Sequence, residues 1–199
     1  MDIDWIVRAV AERLFIEVEA SGRHVHVTKE QAQALFGHDL TPVRALSQPG
    51  QFLAKERVTV VGPKGEFQNV AVLGPARKAA QVEISLTDGR VLGITPPVRL
   101  SGDVKGSPGA TLVGTRGTVS LDAGVIAAQR HIHITPEDAQ RFGVRDGQKV
   151  KLQTYTDRPV EFGDVSVRVS KDFETFVHLD YDEANACGFR KGDLGRIIP

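Results

Sequence analysis

Two stretches of the chain share one alternation of polar and apolar residues that is typical of a β-strand. Residues 23–33 read RHVHVTKEQAQ and residues 130–140 read RHIHITPEDAQ, with seven of eleven positions identical. Successive side chains of a strand point to opposite faces. His24 and His26 are therefore predicted to share one face of a strand, as are His131 and His133, and both pairs are geometrically able to chelate a cation.

A helix-start signal follows each of these strands. Thr28 with Gln31 three positions later resembles a capping box. Thr135 is followed by Pro136, which suits the first position of a helix because the N–H that proline lacks would be unsatisfied there. The repeated unit is therefore predicted to be a strand, a cap and a short helix.

A second similarity recurs at an offset of 95 residues. The matching positions are Glu66, Phe67, Val70, Val72, Val82 and Gly93 with Glu161, Phe162, Val165, Val167, Val177 and Gly188. In this alignment Glu83 corresponds to His178. Each half of the chain then supplies a His-x-His pair and one further residue of a metal-ligand type.

The remaining patterns predict a mainly β fold. Short strands separated by Gly, Pro and Asp are predicted at 57–62, 67–73, 81–86, 149–155 and 164–169. The Gly- and Pro-rich stretch 96–124 is predicted to be a crossover without regular pairing. We expect two small β-barrel domains related by internal duplication, with short helices and a metal site between or within them. The domain limits are 1–22 for an N-terminal helix and linker, 23–128 for the first barrel with the crossover, and 129–199 for the second barrel.

The N-terminal segment is predicted to be a short amphipathic helix. Ile3, Ile6, Val7, Val10 and Leu14 follow the spacing of one helix face, and interspersed charges break up any signal-peptide core. Three roles remain open for this helix. It could pack on the C-terminal barrel, dock on a second subunit, or recruit a partner as a targeting peptide.

Composition narrows the class of partner. Lys+Arg and Asp+Glu both count 25, so the chain has no global field that would attract nucleic acid or a membrane surface. No apolar run is long enough to cross a bilayer. The single Cys187 cannot form an internal disulfide, which favours a reducing compartment. We therefore expect a cytoplasmic protein without nucleic-acid or membrane partners.

The histidines indicate a metal centre. Five of the six, all but His38, lie in the repeated motifs or in the position that corresponds to Glu83. Imidazole with carboxylate suits Zn²⁺, which keeps an open position with three protein ligands when it is catalytic. Six candidate ligands are enough for two zinc ions with three ligands each. Iron, manganese and cobalt remain alternative metals. His38 is predicted to be a surface residue.

Arg77 is the candidate anion-binding residue. It follows a Gly-Pro turn a few positions before Glu83, and its planar fork suits phosphate oxygens, although a plain surface arginine would fit the same pattern. The chain has no Gly-x-Ser-x-Gly elbow, no P-loop, and no evident general base beside Cys187. Of the reaction types considered, metal-assisted chemistry on an anionic or carbonyl substrate is the one that the residues favour.

Together these residues resemble the PduL-type phosphotransacylases, a family of phosphate propanoyltransferases that are associated with bacterial microcompartments and also occur outside them. The resemblance covers the chain from Ala20 to Pro199. The motifs that carry it lie at residues 21–26, 73–77, 81–85, 100–102, 130–133 and 178–185.

The resemblance implies a phosphate acyltransferase that interconverts acyl-CoA and phosphate with acyl phosphate and coenzyme A by direct metal-assisted transfer. The acyl group would be propanoyl or acetyl, and propanediol degradation is the implied setting. Arg77 would bind phosphate, and Ser21, Lys64 and Asn185 would hold coenzyme A. The implied fold is a pair of β-barrels, with the N-terminal segment belonging to the C-terminal half. The implied di-zinc ligands are His24, His26, Glu83, His131, His133 and His178.

Two other functions remain open at this stage. A zinc-dependent thioester hydrolase would use the same ligands with a metal-bound hydroxide. A non-catalytic, metal-stabilised β-barrel module of a microcompartment assembly would use the N-terminal helix to dock on shell or core proteins. A homodimer and a place in the microcompartment lumen are further expectations.

Overall fold

The computed structural model describes residues 13–199 together with Ile3, Val7 and Val10. The N-terminal helix predicted over residues 1–14 therefore lies largely outside the described residues. The apolar positions of that segment that are described, Ile3, Val7, Val10 and Leu14, are helical and exposed. Within the described part of the chain, no helix has the length and apolar character that crossing a bilayer requires.

The chain divides into two compact units, each with its own apolar core. The barrel unit contains the described residues up to Ser21 together with Gln129–Pro199, and the sheet unit is Gly22–Ala128. The strands are β1 (Ile16–Ser21), β2 (His24–His26), β3 (Pro42–Ala45), β4 (Phe52–Val61), β5 (Glu66–Gly74), β6 (Gln81–Ile84), β7 (Val98–Arg99), β8 (Ala110–Val113), β9 (Thr118–Leu121), β10 (Val125–Ala128), β11 (His131–Ile134), β12 (Lys149–Tyr155), β13 (Glu161–Val169), β14 (Phe176–Asp180) and β15 (Leu194–Ile198). The helices are α1 (Lys29–Phe36), α2 (Leu86–Leu92), α3 (Pro136–Phe142) and α4 (Tyr181–Ala186).

The barrel unit is a closed barrel with the strand order β1-β14-β11-β13-β12-β15. Its interior is filled by alternate, mostly β-branched side chains such as Val18, Ile132, Val167 and Val177, all buried. The intervening residues of these strands are left to face outward. Closure also pairs β1 in parallel with β14, so this barrel is completed by a strand from the start of the chain.

The sheet unit has the strand order β7-β10-β6-β2-β5-β4-β8-β9, with β3 paired to β4. Its sheet curls into a half-barrel around a core that includes Val25, Val72 and Val82. The predicted mainly β class, with its barrel architecture and short helices, is confirmed. The expectation that 96–124 lacks regular pairing was wrong, because β8 and β9 form a hairpin that pairs through β8 with β4.

The predicted helix starts are confirmed. Thr28 accepts a hydrogen bond from the backbone N–H of Gln31 and completes a capping box, and Pro136 occupies the first turn of α3 after the cap at Thr135. The strand predicted over 81–86 is shorter than expected. It ends at Ile84 because Ser85 caps α2, a helix that the sequence pattern did not predict.

The internal duplication extends to strand pairing. β2 lies parallel to β5 and antiparallel to β6, and β11 lies in the same way between β13 and β14. His24 pairs directly with Glu83, and His131 pairs directly with His178. The predicted equivalence of Glu83 and His178 is therefore confirmed.

An ion pair repeats in the two units beside these strands. Arg23 donates to the two carboxylate oxygens of Asp88 from Nε at 3.1 Å and from Nη2 at 2.7 Å, and Arg130 Nη1 donates to Glu183 at 2.6 Å. Asp88 and Glu183 each occupy the third position of the helix that follows the third candidate ligand, and each belongs to a capping box. The arginine before each His-x-His pair therefore ties that strand to the start of the helix.

The Arg130–Glu183 pair gives a test of this tie. Burial raises the pKa of Glu183, and its side chain is 16% exposed, so an Arg130→Gln variant leaves a poorly solvated carboxylate without its guanidinium. We expect the free energy of unfolding to fall by about 1–3 kcal/mol, measured by urea denaturation. As the control, Arg196→Gln changes an exposed arginine of β15 and should stay within about 0.5 kcal/mol of the wild type. Equal losses in both variants would contradict the idea.

Candidate functional site

The sheet-unit cluster consists of His24, His26 and Glu83. One ligand-type atom of each lies within 4.8 Å of the others, and all three residues are buried. Glu83 Oε1 is 3.4 Å from His24 Nε2 and 4.0 Å from His26 Nε2. The cluster forms because β2 presents both imidazoles on one face and β6 places Glu83 opposite His24.

Backbone carbonyls orient the two imidazoles of this cluster. His24 Nδ1 lies 2.8 Å from the carbonyl oxygen of Gly22, and His26 Nδ1 lies 3.2 Å from that of Leu73. Each contact favours the tautomer that carries its proton on Nδ1, which leaves Nε2 as the lone-pair donor toward Glu83. In metal sites, the ring nitrogen of histidine that does not bind the metal usually makes such a hydrogen bond.

The barrel-unit cluster consists of His131, His133 and His178. Their candidate ligand atoms also lie within 4.8 Å of one another, and the rings of His131 and His133 are 4.6 Å apart. His131 Nδ1 lies 2.8 Å from the carbonyl oxygen of Gln129, which repeats the contact between His24 and Gly22. His178 Nδ1 is 3.7 Å from a carboxylate oxygen of Glu19.

Both clusters fit a metal ion with an open coordination position. Each offers three ligands, imidazole with carboxylate in the sheet unit and imidazole alone in the barrel unit. Structural zinc sites are usually closed by four protein ligands, whereas catalytic sites keep three. Cys187 supplies no further ligand to either cluster, because its buried thiol donates to the carbonyl of Ala184 and burial raises its pKa.

Electrostatics keep His26 neutral at physiological pH. Burial, followed by the charges of His24 and Arg77, lowers the pKa of His26 to about 3. Burial also lowers the pKa of His24, but the Glu83 carboxylate outweighs that effect and the pKa lies above its usual value. A metal ion would therefore meet a ready lone pair on His26, whereas at His24 it would compete with a proton more strongly than at an ordinary histidine.

Arg77 is linked to the sheet-unit cluster by a chain of hydrogen bonds. Its Nη1 donates to the hydroxyl oxygen of Ser101 at 3.0 Å, and the same oxygen accepts from Gln81 Nε2 at 2.8 Å. Gln81 Nε2 also donates to Glu83, and the side-chain oxygen Oε1 of Gln81 accepts from the backbone N–H of Gly102 at 2.7 Å. The guanidinium and the candidate ligand Glu83 are thus positioned by one connected network.

Sequence reasoning assigned no role to Gln81 or Ser101. Both lie in motifs that carry the family resemblance, at residues 81–85 and 100–102. Gln81 precedes Glu83 by two positions, which puts the two side chains on the same face of β6. That spacing could have identified Gln81. Ser101 could not be found in this way, because it reaches the site from a turn after β7 that was expected to lack regular structure.

The residues predicted to hold coenzyme A fall into two groups. Ser21 pairs with Asp180, the residue that caps α4, and Asn185 lies exposed on α4. Ser21 and Asn185 therefore belong to the barrel unit, near the strand that carries His178. Lys64 lies in the turn between β4 and β5 of the sheet unit. Five residue steps of β5 separate Glu66 from Ala71, the residue that pairs with His24, so the turn that holds Lys64 does not border that cluster directly along the strand. The coenzyme-binding role of all three stays a prediction.

The remaining histidine behaves as predicted. His38 is exposed, and 3.7 Å separates His38 Nδ1 from Glu56 Oε1. It lies outside both clusters. The prediction that His38 is a surface residue is confirmed.

The depressed pKa of His26 predicts a specific acid sensitivity of the metal-free protein. In the unfolded chain His26 becomes protonated below about pH 6.5, whereas in the folded protein it becomes protonated only near pH 3. Stability should therefore fall as the pH drops through this window, by at most about 1.4 kcal/mol per pH unit. His24 acts in the opposite sense: its contribution is present below pH 6.5 and is lost as pH rises through its higher folded value.

Urea denaturation of chelator-treated protein between pH 7 and 4 measures this effect. His26→Asn removes the His26 contribution, so the wild type should lose stability faster than the variant as the pH falls. Parallel stability curves for the two proteins would show that His26 is not held neutral by the fold.

Comparison with known proteins identifies the family. Residues 17–190 match the family described as phosphate propanoyltransferase. A phosphate propanoyltransferase of Listeria monocytogenes is 52% identical over 98% of this chain and 93% of its own. One from Clostridioides difficile is 50% identical over 98% and 95%, and one from Leptotrichia buccalis is 57% identical over 90% and 86%. The chain belongs to the phosphate propanoyltransferase family.

Proposed function

We propose that this protein moves an acyl group between coenzyme A and inorganic phosphate. The observation that carries the proposal is the hydrogen-bonded network that joins Arg77 to the His24, His26 and Glu83 cluster. A cation suited to phosphate, held together with a candidate metal centre, fits attack by phosphate on a thioester. Membership of a family of phosphate acyltransferases supports the same conclusion.

The donor sets support zinc as the metal, with one ion in each unit. The ligands would be His24, His26 and Glu83 in the sheet unit and His131, His133 and His178 in the barrel unit. Bound at such sites, zinc supplies Lewis-acid polarisation of the thioester carbonyl. The backbone contacts of His24 and His131 hold those rings in position for binding.

Arg77 would hold the attacking phosphate. Its fork matches phosphate oxygens, and its Nη1 is fixed by Ser101, so little side-chain freedom is lost when the anion binds. The same charge would stabilise the oxyanion that develops during attack. Holding both reactants in place can lower the barrier by roughly 7–11 kcal/mol in the ideal case.

We infer direct transfer without an acyl-enzyme. The single cysteine is buried, its hydrogen bond goes to Ala184, and its raised pKa disfavours the thiolate that a nucleophile would need. Phosphate is an anion at neutral pH and needs no strong general base. Ser21, Lys64 and Asn185 are proposed to bind coenzyme A.

Several further properties are proposals that rest on the resemblance. Propanoyl-CoA and acetyl-CoA are the candidate donors, and a difference of one methylene is worth only about 1–3 kcal/mol. A cytoplasmic or microcompartment location, a homodimer, and contacts with shell or core proteins through the N-terminal helix are likewise proposed. That helix lies largely outside the described residues.

A thiol-release assay tests the proposal directly. Purified protein is incubated with propanoyl-CoA or acetyl-CoA, with and without phosphate, before and after chelation with zinc add-back. We expect release to require both phosphate and metal and to be accompanied by acyl phosphate. Release without phosphate would identify a thioester hydrolase, and no release under any condition would favour the non-catalytic module.

Two variants test the arginine network. Arg77→Ala should lower kcat/KM by a factor of about 10²–10³ with both metals still bound, since it removes an oxyanion-stabilising donor. Ser101→Ala should cause a smaller loss, because Arg77 remains but is less firmly held. Metal content measured on the same samples separates this result from loss of the cluster, and unchanged turnover of Arg77→Ala would remove Arg77 from the mechanism.

A further inference from the structure

A second arginine lies beside the barrel-unit cluster. Arg168 on β13 pairs in register with His133 on β11, and parallel strands in register present such side chains on one face. Arg168 Nη1 lies 3.4 Å from His133 Nε2. The guanidinium also stands 5.7 Å from the centre of the Phe173 ring, which packs against His133 at 4.2 Å. Arg168 is therefore held in place next to a candidate metal ligand.

Arg168 is held there without a carboxylate partner among the residues that the structure describes. Its guanidinium contacts the imidazole of His133 and the face of Phe173. Several other arginines of the chain do pair with a carboxylate, namely Arg23, Arg99, Arg130, Arg141 and Arg190. A half-buried guanidinium beside three histidines thus keeps most of its donors for another acceptor.

The duplication does not account for this arginine. The position equivalent to Arg168 at the offset of 95 is Leu73, whose backbone carbonyl faces His26. In the sheet unit the arginine comes instead from the loop before β6, as Arg77. The two units therefore acquired an arginine beside the histidines from different places in the chain.

The two clusters also match in charge. The sheet-unit cluster has the carboxylate of Glu83 and the cation Arg77, and the barrel-unit cluster has Glu19 beside His178 and the cation Arg168. With a divalent ion, each site would sum to plus two, from a plus-two ion, a plus-one arginine and a minus-one carboxylate. Like charges this close repel each other, so both sites favour an anionic ligand.

We propose that Arg168 is a second anion-binding arginine, which binds oxygens of a phosphoryl group at the barrel-unit cluster. The phosphoryl group is that of inorganic phosphate or of an acyl phosphate, whose terminal oxygens are alike. This inference rests on the proposed function and extends it, because it gives the second unit a substrate contact beyond metal binding. The planar fork of arginine suits two such oxygens at once.

Steady-state kinetics of Arg168→Gln and Arg168→Lys test the proposal in both directions. We expect Arg168→Gln to raise the KM for phosphate, and that for acyl phosphate in the reverse direction, on the order of tenfold or more. The KM for acyl-CoA should change little, and Arg168→Lys should recover part of the loss because it keeps the charge. An increase for only one phosphoryl substrate would identify which of the two Arg168 contacts. Arg196→Gln is the matched control on the same barrel.

A second readout does not depend on activity. Millimolar phosphate should raise the Tm of the zinc-loaded wild type and of Arg196→Gln, and the shift should be clearly smaller in Arg168→Gln at equal metal content, where only the contribution of Arg77 remains. If phosphate raises the Tm of Arg168→Gln fully, or if the variant loses metal while its KM for phosphate is unchanged, Arg168 only positions His133 and the proposal is wrong. This readout still applies if the thiol-release assay finds no acyl transfer, so the two ideas fail separately.

Discussion

Backbone hydrogen bonds between paired strands hold His24 opposite Glu83 and His131 opposite His178, and both candidate sites depend on that register. A slip of one residue would turn the polar residues of a strand toward the core and its valines or isoleucines toward the site. Such a slip is strongly disfavoured here because Val25 and Ile132 are fully buried between the histidines of each pair. Ordinary core packing therefore fixes the geometry of the chemistry on the opposite face.

The parts of the site that could be predicted are those that local pattern determines. The period of two put each histidine pair on one face, cap chemistry marked the helix starts at Thr28 and Thr135, and the repeat aligned Glu83 with His178. The parts of the site that could not be predicted depend on contacts between segments that are far apart in the chain. Ser101 meets Arg77 across 24 positions, and Arg168 meets His133 across 35. The hairpin of β8 and β9 was missed because its Gly- and Pro-rich flanks hid two short strands.

The two halves keep one backbone plan while their polar residues diverge. The ion pair between the motif arginine and the helix start persists in both, as do the carbonyl contacts of His24 and His131. The third candidate ligand differs, and so does the source of the nearby arginine. Backbone arrangement is constrained by the core of each unit, whereas the polar side chains around the histidines differ between the units.

The route of the chain also indicates how such a protein could have arisen. β1, which leads into the first His-x-His strand, pairs in parallel with β14 of the second half, and β10, which leads into the second, pairs in parallel with β6 of the first half. Each half has thus given its leading strand to the other. Two identical half-length ancestors that exchanged their first strands would make the same pairings as a homodimer. Gene fusion of such a dimer would preserve the exchange within one polypeptide, and neither half could then complete its sheet without the other.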